Sequence, residues 1–133
     1  AGIARAGRAE AENLGLARPF GAASVLEITA RHVVEAAQAG DETALRVLES
    51  AGRYLGMALA AIIDILNPEI IVLGSLYGRA RALLEPAMRR ALEQEALPEA
   101  LRACRVEPAG LGETIGDLAA VSVALYRSGY WET

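Results

Sequence analysis

The chain has 133 residues, enough for one modest core, and much of its hydrophobic content of 53% is alanine, with only 5% aromatics, which favours close-packed helices over a sheet sandwich. A net charge of −4, with all basic residues arginine, gives no clustered basic footprint for nucleic acid. One cysteine (Cys104) and one histidine (His32) exclude an internal disulfide and a closed zinc site built by these residues alone, which accords with a cytoplasmic setting; neither a membrane span nor a signal peptide is expected.

In chain order, Ala1 to Asn13 read as a helix with a stop at Gly15, and Leu16 to Ala23, with Pro19 and Gly21, as a connection. Ser24 and Glu27 have the spacing of a capping box for a second helix closed by Gly40. His32 falls inside it, where a surface or packing role is set against a functional one. Asp41 caps a long third helix to about Leu66, and the stripe Ala44, Leu48, Ala51, Leu55, Leu59, Ile62, Leu66 is expected to be buried. Gly52, Gly56 and Ala60 form a second face of small residues that would admit a close neighbour.

Asn67-Pro68 ends that helix, since proline has no amide donor and disfavours helical geometry before it. The apolar run Glu69 to Leu73 then reads as a parallel strand covered on both faces, leading into Gly74-Ser75. A helix follows from about Gly78 to Leu97, kinked or split at Pro86. Ala103 to Pro108 is a second strand with Cys104 and Val106 on one side, and Thr114 to Tyr126 is a closing helix after the glycine turn Gly110, Gly112, Gly116. The alternation implies an α/β layer fold with about two parallel strands. Two strands have little stability alone, and the chain opens on Ala1 without methionine, so both point to a piece of a longer protein.

A glycine at the carboxyl end of a parallel strand is where open α/β sheets bind phosphates or ribose, and Gly74 has that position. No Gly-x-Gly-x-x-Gly fingerprint or Walker loop accompanies it. The acids Asp41, Glu113 and Asp117 sit where capping explains them.

The string Leu55 to Gly74, with its Asn67-Pro68-Glu69 and Ile70-Ile71-Val72-Leu73-Gly74, closely resembles a segment of the ROK family of sugar kinases and sugar-responsive repressors. Glu95 to Pro98 with Cys104 to Val106, then Leu111 to Gly116, and even Ala1 to Arg5, keep the family's order, so the resemblance covers nearly the whole chain. It implies part of the second lobe of an actin-like ATPase fold of ribonuclease H-like type, with the amino-terminal lobe absent. It also implies ATP with Mg and a hexose in the intact parent, a structural zinc possible from preceding residues, and a homo-oligomer in the cytoplasm. By the same pattern Gly74 and Ser75 lie against the nucleotide, with Gly112 nearby; Ser75 stands where the kinases usually carry a second glycine, a position at which repressor-type members also depart. The family's catalytic aspartate, sugar-contacting residues and zinc ligands have no counterpart here, so these residues alone are not expected to phosphorylate sugar. A repressor's effector-sensing lobe is the alternative; a purely helical scaffold is a third, which the strand-forming run Ile70 to Leu73 opposes.

Overall fold

The computed structural model of the chain describes residues 2–16, 19–110, 121–124 and 127. Over the described residues up to 110, five helices and two strands follow in the order α1 (Gly2–Asn13), α2 (Ala30–Gln38), α3 (Glu42–Leu66), β1 (Ile70–Leu73), α4 (Ser75–Glu95), α5 (Pro98–Ala103) and β2 (Arg105–Pro108). Short 3-10 turns at Pro19–Gly21 and Val25–Glu27 connect α1 to α2. Of the expected closing helix, residues 121–124 are described and helical; its other residues and the turn at Gly112 and Gly116 lie outside the described residues.

The second helix begins later than its sequence suggests. Ser24 caps only a 3-10 turn and makes no side-chain cap bond, whereas Thr29 Oγ1 accepts from the His32 backbone N–H and His32 Nδ1 accepts from the Thr29 N–H, each at 3.3 Å. The imidazole thus fills the place in a capping box that glutamate or glutamine normally takes. Ile28 and Val33, before and after this cap, are fully buried and converge on Gly7 of α1, where a β-carbon would stand 2.8 Å from Val33 Cγ2. His32 is therefore a helix-start residue.

Asp41 caps α3 as expected, its Oδ1 accepting from the Ala44 N–H at 2.8 Å. Of the expected stripe, Ala44, Leu48 and Leu59 are buried and Ala51 and Leu55 partly so, but Ile62 and Leu66 are 42% and 69% exposed, and the buried face extends instead over Gly52, Gly56, Ala60 and Ile63. The cause is α4. A β-carbon on Gly52 would lie 2.5 Å from the Leu84 carbonyl oxygen, and one on Gly56 would run into the Met88 carbonyl oxygen and the Ala91 β-carbon. Small residues win this face because they let two helix backbones touch, and the flanking Leu48, Leu59, Leu84, Met88 and Leu92 then close the core around them.

Asn67 ends α3 in the left-handed region (φ 44°), a conformation asparagine tolerates better than most residues, and its N–H donates to Ile63 O at 2.8 Å. Pro68 prevents continuation, and β1 pairs with β2 in parallel, Ile70 opposite Arg105 through Leu73 opposite Pro108. Ile71, Leu73 and Val106 pack against the core, with Cys104 half-buried beside them. Ile70 and Val72 on the other face of β1 are 46% and 59% exposed, so among the described residues only one face of the strand is covered.

α4 starts directly after Gly74, earlier than expected, and runs unbroken through Pro86, whose exposed position lets the helix carry it without splitting. The short α5 has Pro98 in its first turn, and the Asp64 carboxylate of α3 accepts from the Leu97 N–H at 2.9 Å, tying the end of α3 to the α4–α5 corner. No helix among the described residues is long and apolar enough to cross a membrane.

Gly56→Ala is expected to lower stability by about 2 kcal/mol, because a rigid backbone carbonyl blocks the methyl group. Gly78→Ala, on the same pair of helices but with open space around its α-carbon, should instead raise it by about 0.5–1 kcal/mol through helix propensity. Denaturant midpoints of the two variants, measured side by side, check both signs.

Candidate functional site

The carboxyl end of β1 delivers Gly74 as the N-cap of α4, with φ −67° and ψ −179° and no side chain capping the helix. The Tyr77 N–H is returned to Gly74 O at 3.0 Å. Other N–H groups of the first turn have no partner within the helix, and the 21-residue α4 places the positive end of its dipole there. Gly74 itself has an ordinary φ and open space around it: a β-carbon would meet nothing within 4 Å. Neither conformation nor packing among the described residues calls for glycine, so its distinctive contribution is a bare backbone that a ligand can approach.

That backbone borders a cleft of about 1000 Å³. Its walls come from one face of α1 (Ile3, Ala6), from α3 (Ser50, Tyr54, Leu55) and from Leu73 and Leu76 at the β1–α4 junction. The lining is predominantly apolar. Among the described residues Arg5 of α1 is the only charged one along it, and none of them brings an acid to it. Tyr54 is 60% exposed at the cleft, with the Arg53 guanidinium 5.0 Å from its ring centre.

Tyr77 underlies the cleft at 5% exposure, and its hydroxyl, sealed from solvent, makes no hydrogen bond of ordinary geometry among the described residues. Burial pushes its pKa up and the nearby Glu85 carboxylate adds to that, while Arg81 and Arg89 oppose it. Glu85 is itself gripped by two guanidinium groups, Arg81 Nε at 2.8 Å and Arg89 at 2.6 Å, which hold its carboxyl down to about 2. The thiol of Cys104 is pushed up by burial and lies at the start of β2.

Of the residues singled out from the sequence, Gly74 and Ser75 form the β1–α4 junction at the cleft, and Gly112 lies outside the described residues, as do Glu113 and Asp117. Arg5, Tyr54 and Tyr77 were not anticipated. Arg5 and Tyr54 reach the cleft from helices distant in sequence, and no local motif marks them. Among the described residues no group of three or more His, Cys, Asp or Glu could hold a metal ion.

Comparison with known proteins places these features in context. The family model for the ROK family matches residues 6–126. The chain is 36% identical to the glucokinase of Halalkalibacterium halodurans over 89 residues, which is 67% of this chain and 27% of that one. It is 29% identical to the DNA-binding transcriptional repressor Mlc of Escherichia coli over 102 residues, 75% of this chain and 25% of the repressor. The structure of a ROK family glucokinase from Streptomyces griseus in complex with glucose and AMPPNP superposes with a TM-score of 0.63 at 25% identity, over 84% of this chain and 38% of that one. The chain thus spans about a quarter of the length of these two curated relatives, and its fold is part of an actin-like ATPase lobe.

Two outcomes follow from the side chains beneath the cleft. Tyr77→Phe should leave stability unchanged or raise it by up to about 1 kcal/mol, since it removes a sealed hydroxyl with no well-formed hydrogen bond among the described residues; a loss of that size in thermal melts would show that the neighbouring Arg81, or a group outside the described residues, partners it. Because the folded-state pKa of Glu85 lies below its ordinary 4.5, its ion pairs stabilise the fold above that pH and are lost as pH falls toward about 2. Wild type should therefore melt above Glu85→Gln near neutral pH, and the two curves should converge in acid.

Proposed function

The chain belongs to the ROK family, and we propose that its residues form part of the nucleotide-facing lobe of an ATP-dependent hexose kinase. The observation that carries this reading is the bare Gly74-Ser75 junction at the carboxyl end of a parallel strand, opening onto an apolar cleft at the head of a long helix. The two halves of that arrangement suit the two halves of a nucleotide: apolar walls for a flat base, free N–H groups and a positive dipole end for anionic oxygens.

ATP, when bound, supplies the phosphoryl group, and Mg travels with it. These residues would bind and orient the nucleotide at Gly74 and Ser75, with Gly112 in a further contact. The sugar, its phosphorylation and any structural zinc would depend on residues of the parent beyond this chain, while these residues would also contribute to subunit contacts in a homo-oligomer. The similarity to glucokinases, one of them solved with AMPPNP, supports the reading.

Ser75 favours a second one, a lobe that senses sugar within a transcriptional repressor without using ATP. It stands where kinases of the family usually carry glycine, and the similarity to Mlc is of comparable extent.

Gly74→Asp separates the two. An aspartate fits the conformation and the space at this position and is a favourable N-cap, so the fold should be kept or slightly strengthened, while its charge opposes phosphate. In the full-length protein, titration calorimetry should register MgATP binding by wild type and its loss in Gly74→Asp. Equal affinity in both would remove Gly74 from the site, and a wild type that binds sugar but no MgATP would establish the sensing role.

A further inference from the structure

We infer that Arg5, together with the Gly74-Ser75 junction, positions the phosphate-bearing end of a nucleoside phosphate in the cleft, with the base on the largely apolar wall formed by α3. The inference rests on the nucleotide reading above and assigns a residue to it from outside the Gly74-Ser75 junction.

α1 is held rigidly. Its inner face presses Gly7 beneath Val33, Ala11 is fully buried, and Arg8 donates to Ile28 O at 3.1 Å. The face with Gly2, Arg5, Ala6 and Ala9 is thereby presented to the cleft, with Ile3 at its border with the core. Arg8 is occupied by that backbone carbonyl. Arg5 has no hydrogen bond or ion pair among the described residues and no acid beside it along the cleft.

A lone guanidinium on a largely apolar wall selects for charge. A neutral sugar or a free nucleoside gives it no anionic partner, whereas a phosphate gives it a charge-assisted, bidentate one. The second positive element, the uncapped start of α4, borders the same cleft, so two cationic features flank one apolar floor. This is the complement of an anion tethered to a flat ring.

The test compares MgATP with adenosine by titration calorimetry on the full-length protein, in wild type, Arg5→Ala and Arg5→Lys. Arg5→Ala should weaken MgATP about tenfold or more and leave adenosine within about twofold, with Arg5→Lys recovering part of the loss. The inference is overturned if both ligands weaken together, as they would if Arg5 only supported the fold, or if neither changes, as when other parts of the chain fill this wall. Should Arg5→Ala fail to fold, the salt dependence of MgATP affinity decides instead: a shallower dependence in Arg5→Gln than in wild type supports the assignment, and equal slopes overturn it. Loss of MgATP in Gly74→Asp with no effect at Arg5 would leave the nucleotide reading standing and remove this inference alone. A wild type that binds neither ligand would remove both.

Discussion

Backbone contact between α3 and α4 sets the geometry of everything else in the described chain. Gly52 and Gly56 bring α3 onto the carbonyl oxygens of Leu84 and Met88, closer than any pair of helices separated by side chains can lie. Because β1 connects the end of α3 to the start of α4, this contact fixes where the strand must run and where it must stop. The cleft exists because α1 and α3 form its far walls while α4, drawn in toward α3 along its middle, leaves its amino-terminal turn at the edge. A packing constraint in the centre of the molecule therefore determines the shape of a site at its border.

The chain's central unit was readable from the sequence because its signals are local. Asp41 before an apolar periodicity, Asn67-Pro68 after it, four large aliphatic residues and then Gly74 each act on their immediate neighbours, and the long helix and the strand appear where those signals put them, with the next helix beginning three residues early, directly after Gly74. Which face of α3 is buried was not readable in the same way. Leucines and isoleucines recur on one face and glycines with alanine on another; Leu48 and Leu59 are buried as hydrophobicity favours, but the burial of the small residues beside them, at the expense of Ile62 and Leu66, depends on the backbone of a helix some thirty residues away. The start of α2 was misplaced because a histidine, which no capping-box pattern includes, took the role of the acid three residues after Thr29. α5 is too short to carry a periodicity, and Asp64, which in the sequence merely interrupts an apolar run, is a ligand for the Leu97 amide.

The site divides along the same line. Gly74 and Ser75 are adjacent in sequence and were legible as a strand-to-helix junction, whereas Arg5 and Tyr54 join them only through tertiary packing. What glycine provides at position 74 also differs in kind from what it provides at 52 and 56. In α3 the missing side chain is filled by another part of the protein; at the junction the space remains open. Both the kinase and the repressor readings use that opening, and they part only over whether phosphate enters it.

The four residues of β1 carry one more implication. In most half-buried strands a one-residue slip is forbidden because it would exchange apolar for polar side chains across the sheet. Here Ile70, Ile71, Val72 and Leu73 are all large aliphatics, so the side chains themselves scarcely distinguish the observed pairing with β2 from its neighbour one step away. The alignment must be imposed from the strand's ends: by the left-handed turn at Asn67, by Pro68 with no amide to offer, and by the abrupt helix start after Gly74. Changes at these punctuating residues would therefore act as frameshifts in the sheet, turning Ile71 and Leu73 outward without altering a single residue of the strand.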